Sequence, residues 1–493
     1  MTARRIIWTW TVFLAVVACV GGTIGYGTYH RSDLYRLQLE QELTAFFGLP
    51  VDVGAVRPHS FTTRSLSGLA VWLPDRRDRV FYAPSVLWGR HPEGEGSRIE
   101  VRGAEWTIGS EAWYPDDYTR VLRASLQHDF RQYNVREVHL ADSRIIWPRT
   151  DFRLTIDDVA GAVRFHDDGT GQATLTCTVL NGRPANEPIR IDARLDPAAE
   201  EFLPEVRLTV PPLPLPTLGL DGLLTSRVTQ GSFAGRITFR QLAGEDELQL
   251  AGRLADIRLE ELTARLPGGA VSARVDLDVH EALVRGRKLA LFDFRGDVYD
   301  LDVDALLAQQ GMPQVGGRAK LHLHGGRVSA QGIEVLTASG EWLGASLPVV
   351  SQALLGEPSL PGRFDLRIHS LAVQDNELTS ADLELTAMPP GSGPGVIPRS
   401  LLMEALDRLN VALPASLLPE QVEYVHAGAR ILADREQIRV LAGKGPAGPA
   451  LVTVRLWGRD MPLMGNAHLT LDVAPLRQRI DPLLERLRTL LGD

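Results

Sequence analysis

The sequence predicts a mostly β protein: one elongated, curled antiparallel sheet, preceded by a single N-terminal transmembrane helix and accompanied by a few short amphipathic helices. Three observations lead to this prediction. Segments in which apolar and polar residues alternate recur over much of the 493-residue chain, and a period of two is typical of strands with one apolar face. Turn dipeptides separate these segments. Segments with helical periodicity are few, and one uncharged stretch has the length of a membrane span.

The composition is that of a folded protein. Hydrophobic residues make up 44% of the chain and charged residues 23%, which excludes wholesale disorder. The 52 basic and 61 acidic residues give a formal net charge of −9, so we expect no nucleic-acid partner. Cys19 and Cys177 are the two cysteines. The sequence therefore predicts neither a disulfide framework nor a cysteine metal site.

A membrane anchor is predicted near the N-terminus. The 21 residues from Ile6 to Tyr26 include no charged residue, and a helix of that length crosses a hydrocarbon core about 30 Å thick. Because Arg4 and Arg5 precede this segment, the N-terminus is expected in the cytoplasm. We therefore predict a single-pass membrane protein with nearly all of the remaining chain outside the cytoplasm. A cleaved signal peptide and a lipoprotein signal ending at Cys19 are alternatives.

Helical periodicity is confined to short segments. Leu34 to Phe47 places its apolar residues on one stripe, and such a helix fits equally against the first sheet or against lipid. Residues 116–133 and 400–410 are also predicted to be helical. Near the C-terminus, Asp481 is a predicted N-cap with Pro482 at the first helical position. The leucines that follow form the stripe of an amphipathic helix that would cap a sheet.

Four sections are predicted along the chain: a membrane anchor (1–31), a mixed α+β section (32–215), a regular antiparallel β section (216–475) and a C-terminal capping helix (476–493). The proline-rich stretches Pro211–Pro216 and 389–398 are expected to be loops or seams, because proline lacks the amide donor that a central strand requires. The leucines of the first stretch indicate that it packs on the protein. Two independent domains are therefore not predicted.

The strand pattern is clearest at residues 271–279, where Val271, Ala273, Val275, Leu277 and Val279 alternate with polar residues. The same alternation recurs at Ile237 and Phe239, at Leu321 and Leu323, at Leu366 and Ile368, and at Val452, Val454 and Leu456. Turns such as Gly325-Gly326 space many of these segments like hairpins. We therefore expect antiparallel pairing throughout.

The apolar face of these strands must be covered, and the sequence offers few helices to cover it. A sandwich packs two sheets together and a barrel fills its own interior, and both are alternatives here. The third solution is one long sheet curled into a trough that holds hydrocarbon. At about 0.8 kcal/mol per methylene, a tail of roughly fourteen carbons gains on the order of 11 kcal/mol by leaving water. We predict such a trough, lined by the alternating apolar residues named above.

Several segments share the arrangement of a known family. After the anchor and a short helix, Phe47 to Val56 and Leu66 to Pro74 are similar to that family's opening hairpin. Val135 to Ile145 and Leu154 to Arg164 look like its next strands, and the alternating strands from Phe233 to Val473 look like its C-terminal β region. In this arrangement the chain resembles the AsmA-like proteins, bacterial relatives of the repeating β-groove lipid-transfer proteins.

The resemblance implies a role in outer-envelope assembly and in moving phospholipid between membranes. It also implies membrane phospholipids and the inner membrane as partners, with other envelope proteins as further partners, and no cofactor or catalytic residue. The longest members bridge two membranes. About 250 residues of meander would instead give roughly 20 strands and an arc of roughly 100 Å. That length suits a shuttle, a shield or one section of a relay.

No metal site is predicted. His322 and His324 lie on the same face of one predicted strand, but no third ligand is implied nearby, so solvated histidines are expected. The acidic run Asp300 to Asp304 is similar to the start of a calcium-binding loop. However, Ala305 stands where that loop requires glycine, and the apolar residues inside the run continue the strand alternation.

The sequence offers no catalytic motif. It contains neither a Gly-x-Ser-x-Gly elbow nor a phosphate-binding loop, and Cys177 is expected to be a buried, inert thiol. The tryptophans of the first third form either an interfacial belt or part of the core: Trp72, Trp88, Trp106, Trp113 and Trp147. A lipid carrier that is not an enzyme is therefore the leading prediction. The alternatives are a non-catalytic envelope assembly scaffold with a closed β-sandwich core and, last, an enzyme acting on envelope polysaccharide.

Overall fold

A computed structural model describes residues 15–20, 23, 25, 27–60, 62–74, 76–92, 94, 96–107, 134–148, 153–166, 168, 170–196, 205–218, 229–242, 245–263, 271–285, 288–308, 314–349, 361–391, 395–408, 414–446, 448–465 and 468–472. These residues form a mostly β protein whose strands belong to one large mixed sheet. The helices are α1 (Asp33–Phe47), α2 (Leu259–Thr263), α3 (Val303–Ala308) and α4 (Arg399–Arg408), with 3₁₀ turns at Leu215–Leu218 and Ala415–Leu417.

The strands of the first half are β1 (Val51–Asp52), β2 (Ala55–Pro58), β3 (Arg64–Trp72), β4 (Arg79–Arg90), β5 (Ser97–Arg102), β6 (Glu105–Thr107), β7 (Val135–Pro148), β8 (Arg153–Phe165), β9 (Gly171–Leu180), β10 (Arg183–Leu195) and β11 (Glu205–Pro214). The second half contains β12 (Ser232–Leu242), β13 (Glu245–Arg258), β14 (Arg274–Arg285), β15 (Lys288–Leu301), β16 (Arg318–Ser329), β17 (Gly332–Ser346), β18 (Arg363–Gln374) and β19 (Glu377–Met388). It ends with β20 (Gly395–Pro398), β21 (Gln421–Asp434), β22 (Gln437–Gly445), β23 (Gly448–Ala450), β24 (Val452–Leu456), β25 (Arg459–Leu463) and β26 (His468–Asp472).

The chain divides into two compact units. Unit one comprises Met1–Leu213, Thr217–Gly222 and Arg236–Asp246, and unit two comprises Pro214–Pro216, Leu223–Gly235 and Glu247–Asp493. The division passes through β12 and β13 as well as through the first proline-rich stretch, which is where the sequence places a section boundary. The predicted helices at 116–133 and 476–493 lie outside the described residues, as does most of the predicted membrane anchor.

Unit one corrects the expectation of antiparallel pairing throughout. Strand β3 pairs antiparallel with β1, β2 and β4, and β7 to β11 form an antiparallel series. Between these two groups, however, β7 runs parallel to both β5 and β6. Parallel neighbours require a connection of a dozen or more residues, because the chain must return to the same end of the sheet. Residues 108–134 supply that length between β6 and β7.

Helix α1 packs on the first strands, which settles one alternative left open by the sequence. The Ser32 side chain accepts a hydrogen bond from the Tyr35 amide at 3.3 Å, and the helix ends at Gly48 with φ of 63°. Leu39 and Leu43 are buried in a cluster with strand residues of β1 to β5, and Trp88 packs against the same cluster. Core packing therefore accounts for the apolar stripe and for this tryptophan.

A buried carboxylate of unit one connects β7, β8 and the residue that follows β4. Glu137 on β7 is 7% exposed; its Oε2 lies 2.7 Å from His139 Nε2 and 3.6 Å from His91 Nε2, and its Oε1 accepts a bond from Arg164 Nε at 3.0 Å. Burial raises the pKa of this carboxyl. The close contact with His139 and the hydrogen bond and positive charge of Arg164 outweigh burial and lower the pKa from 4.5 to about 2.

Replacing this carboxylate is expected to destabilise the protein in a pH-dependent way. The lowered pKa corresponds to a contribution of about 3 kcal/mol at neutral pH, so E137Q should lose about 2–3 kcal/mol of unfolding free energy at pH 7. Because the pKa is lower in the folded state, the contribution is complete above about pH 4.5 and disappears as the pH falls towards 2. Urea unfolding of both proteins at several pH values measures this convergence.

Asp52 provides the matched control. Its Oδ1 lies 3.5 Å from Arg76 Nη1 and both side chains are about half exposed, so D52N should change the unfolding free energy by less than about 1 kcal/mol. A difference between E137Q and wild type that is equally large at pH 7 and pH 2.5 would assign the loss to packing rather than to charge.

Unit two is mainly an antiparallel meander. Strands β13 to β19 pair in chain order. Strand β19 then pairs with β21, β21 with β22 and β22 with β26. Strands β20 and β24 flank the first half of β21, and β25 pairs with β24. Helix α4 covers this end: Leu402 and Leu406 are buried with Val422, Tyr424 and Val454. The predicted helix at 400–410 is thereby confirmed.

Two register shifts interrupt every ladder from β13/β14 to β18/β19. In the hairpins β14/β15, β16/β17 and β18/β19, one of the two shifts is a bulge of a single residue. The bulged residues, which face no residue on the neighbouring strand, are His280, His324 and His369. A bulge bends its strand and increases the local twist. Bulges that recur at equivalent positions are a device by which sheets are curved.

Several local expectations need correction. The Gly325-Gly326 pair, expected to form a turn, lies within β16. Strand β14 begins at Arg274 rather than at residue 271, because Ala273 binds elsewhere: its carbonyl accepts the Leu259 amide at 2.9 Å. The acidic run leaves the strand alternation, since Val303 begins α3 and the Asp302 carboxylate accepts the amide of Asp304 at 3.1 Å as a cap.

The proline-rich stretches are also not wholly loops. Strand β11 continues through its prolines to Pro214, but its ladder with β10 extends only to Thr209. Residues 395–398 form β20, where Pro398 ends the strand opposite Gln421. In both places proline occupies a strand end, where a missing amide donor is tolerated. None of the helices within the described residues has the length and apolar character required to span a bilayer.

Candidate functional site

Three rows of apolar residues cross unit two at right angles to its strands. Residues that oppose each other in a ladder point to the same face of a sheet, so the ladder partners define each row. Row one is Ile257, Val275, Val298, Leu321, Gly340, Ile368, Leu383, Ile431, Val440 and Leu469. Row two is Leu254, Leu277, Gly296, Leu323, Ala338, Leu371, Ala381, Ala433 and Ile438. Row three is Leu301, Ala319, Trp342, Leu366, Leu385, Ala429 and Ala442.

These rows form a continuous apolar face. Row one crosses ten strands, which at about 4.8 Å per strand corresponds to a path of about 43 Å. No polar side chain interrupts any of the three rows. A continuous apolar face of this length must be covered by protein or by another apolar material, because each Å² of apolar surface exposed to water costs about 25 cal/mol.

The large side chains in the middle of this face are only half-buried. Leu321, Leu323, Ile368 and Leu383 all retain accessible surface. Strand β21 shows the contrast within one element. Its residue Val422 is 0% exposed under helix α4, whereas Ile431, farther along on row one, is half-buried. The described residues therefore seal the end of the sheet near α4 but leave the middle of the apolar face partly open.

The opposite face is polar. One row on this face alternates in charge from strand to strand: Lys320, Glu341, Arg367, Glu384 and Arg430. Opposite charges on neighbouring strands attract one another, and Arg430 Nη2 also binds Asp382 Oδ2 at 2.7 Å. This face is stable in water and requires no cover.

A repeat in the sequence builds the apolar face. Strands β14, β16 and β18 begin at Arg274, Arg318 and Arg363; in each, a leucine follows at the fourth position, an aliphatic residue at the sixth and a histidine at the seventh. The equivalent leucines Leu277, Leu321 and Leu366 lie on rows two, one and three, in that order. Each hairpin is thus displaced by two residues relative to the preceding hairpin. As a result, the repeated leucines form a stripe that runs obliquely across the strands.

The structure distributes the predicted lining residues over several environments. Seven lie together on β14, β16 and β18: Val275, Leu277, Val279, Leu321, Leu323, Leu366 and Ile368. Leu277, Leu321, Leu323, Leu366 and Ile368 are half-buried, while Val275 and Val279 are buried. Val452 on β24 is half-buried and packs at the margin of the cluster under α4.

The remaining predicted lining residues lie away from the open part of the face. Val454 and Leu456 are 0% and 7% exposed within the cluster under α4, so protein atoms already fill the space beside them. Val271 and Ala273 precede β14. Ile237 and Phe239 lie on β12 in the part that belongs to unit one. The predicted lining omitted Leu383, Ile431 and Val440 of row one. Adjacent apolar residues, as at Ile431-Leu432 and Val440-Leu441, obscure the period of two in β21 and β22.

Polar candidates have structural roles among the described residues. His322 Nδ1 lies 2.7 Å from Asp297 Oδ1, and His324 Nε2 lies 2.9 Å from Ser339 Oγ, both on the polar face. Within the described part of the chain, no group of three or more His, Cys, Asp or Glu side chains is arranged to hold a metal ion. Burial raises the pKa of the Cys177 thiol to about 12, which keeps it protonated and unreactive.

Comparison of the chain with protein-family models and with curated proteins found no match.

Proposed function

We propose that this chain binds the acyl chains of membrane phospholipids along the apolar face of unit two, as an AsmA-like carrier or conduit on the periplasmic side of the inner membrane. The observation that supports the proposal is the half-buried state of the large aliphatic residues in the middle of rows one and two, such as Leu277, Leu321 and Ile368. Acyl chains supply the apolar cover that the described residues leave incomplete. Each methylene placed against this face contributes about 0.8 kcal/mol relative to water.

The length and chemistry of the face favour lipid over a polar ligand. Its path is about 43 Å long, and the three rows offer no free polar side chain, because the one polar group on them, the indole N–H of Trp342, donates to the Gly316 carbonyl at 3.1 Å. A site for a polar metabolite would require a few convergent polar groups among apolar ones. The bulges at His280, His324 and His369 favour the curvature that a trough requires.

Crosslinking from single positions tests the proposal. A photoreactive amino acid at Leu321 on the apolar face is compared with one at His322, its neighbour on the polar face, in cells whose phospholipids carry a radioactive label. Lipid adducts are expected at Leu321 and not at His322, because adjacent strand residues point to opposite faces. Leu456 provides a second control, since the cluster under α4 excludes ligand. Absence of lipid adducts at Leu321, Leu323 and Ile368 would contradict the proposal.

A further inference from the structure

The hairpin formed by β24 and β25 carries an unusual tip. Leu456 pairs with Arg459, so the turn consists of Trp457 and Gly458 alone. Both turn residues have positive φ, 51° and 76°, as a two-residue hairpin turn of type I′ requires. Asparagine, aspartate and glycine are the usual first residues of such turns, because bulky side chains are strained at positive φ.

Trp457 is unlike the other residues of this backbone conformation. Among the described residues, eight of the eleven non-glycine residues with positive φ are Asp or Asn. Trp457 is also 75% exposed, the most exposed of the large hydrophobic side chains in the described part of the chain. Trp457 therefore departs both from the residue preference of type I′ turns and from the usual burial of large hydrophobic side chains. Such double departures occur where a side chain serves binding rather than folding.

The stem beneath the tip is rigidly held. Val454 and Leu456 of β24 are buried under helix α4, and the Nε of Arg455 donates to Asp460 Oδ1 across the hairpin at 3.0 Å. Trp457 is thus presented to solvent on a fixed support. Met461, 37% exposed, extends the apolar surface along β25.

The residues around Trp457 have the chemistry of a membrane interface. An indole ring has an apolar body and a polar N–H, and for this reason tryptophan concentrates at the level of lipid headgroups. Arg459 follows the tip and is exposed, and an arginine close to a bilayer is attracted to anionic lipids. Arg455, on the other side of the tip, is also exposed but is paired with Asp460. We propose that this hairpin docks unit two on an anionic membrane, with Trp457 inserted among the headgroups.

This docking surface is separate from the apolar face proposed to bind acyl chains. It predicts membrane attachment whether or not the face carries lipid, so the two proposals fail independently. Where both hold, the hairpin would bring the C-terminal part of unit two to a bilayer.

Vesicle capture tests the docking proposal. The full chain is held in nanodiscs of neutral phosphatidylcholine, and binding of vesicles containing phosphatidylglycerol is measured against vesicles of phosphatidylcholine alone. Trp457→Asn is expected to weaken capture of anionic vesicles about tenfold, and Trp457→Tyr to retain most of it. Arg459→Gln is expected to weaken capture about fivefold, in a salt-dependent manner. Leu343→Asn, at a residue 47% exposed on β17, is the matched control and should bind like the wild type.

Thermal unfolding separates docking from a structural role. Because asparagine suits positive φ, Trp457→Asn should leave the melting temperature unchanged or raise it by about 2–4 °C. Capture that is unchanged in Trp457→Asn would overturn the proposal, and so would a lower melting temperature that accompanies the loss of capture. Equal capture of neutral and anionic vesicles by the wild type would overturn the assignment to an anionic membrane.

Discussion

Leu277→Glu is expected to abolish phospholipid loading while leaving the protein folded. Leu277 lies on row two and is half-buried, so a carboxylate there reaches water and the unfolding free energy should fall by only about 1 kcal/mol. The same carboxylate projects into the path proposed for acyl chains, where an unpaired charge is strongly unfavourable. Organic extraction of the purified protein, followed by mass spectrometry of phospholipids, measures loading. Denaturant unfolding measures stability.

Val275→Glu is the matched comparison, two residues away on the same face of β14. Val275 is 5% exposed, and burying an unpaired charge there should cost about 3–5 kcal/mol. A closed sandwich core, the alternative derived from the sequence, predicts a different pattern. In that case Leu277→Glu would destabilise the protein as much as Val275→Glu, and the wild type would yield no bound phospholipid.

Gly296→Ala is expected to destabilise the protein by about 3 kcal/mol or more. A Cβ added at Gly296 would collide with the carbonyl oxygen of Asp276 and approach the Leu277 Cα to 2.9 Å. Both atoms belong to the backbone of the adjacent strand β14, which cannot move without breaking its ladder, and overpacking of this kind is costly. Chemical denaturation monitored by circular dichroism gives the change in unfolding free energy.

Gly325→Ala is the control for this substitution. Gly325 lies within β16, and the single atom near an added Cβ is the Thr337 Oγ1 at 3.8 Å, so the change in stability should be below about 1 kcal/mol. Similar effects at Gly296 and Gly325 would show that β14 and β15 can separate locally. That result would contradict the close backbone approach on which the continuity of rows one and two depends.

The same close approach recurs along the chain. Gly252, Gly296 and Gly340 are spaced 44 residues apart, and a Cβ at each would collide with a carbonyl oxygen of the preceding strand, at Ala234, Asp276 and Lys320 respectively. The strand starts at Arg274, Arg318 and Arg363 follow nearly the same interval, since they are spaced 44 and 45 residues apart. This repeat is present in the sequence, but the alternation of apolar and polar residues within single strands does not reveal it.

Local features were largely determined by the sequence. Alternation identified strands such as β14, β16 and β24, and an apolar stripe at helical spacing identified helix α1. These patterns are readable because they depend on residues close together in the chain: the side-chain period of a strand, the capping of helix ends and the turn residues. The mostly β class follows from the same local evidence.

The tertiary structure decided which apolar residues are covered. Leu277 and Val454 have the same alternating pattern around them, yet Val454 lies beneath helix α4 whereas Leu277 lies on the partly open face. Alternation shows that a strand has an apolar side, but what covers that side depends on elements distant in sequence. The parallel placement of β7 beside β5 and β6 has the same origin, because alternation within a strand does not determine which strands it pairs with or in which direction.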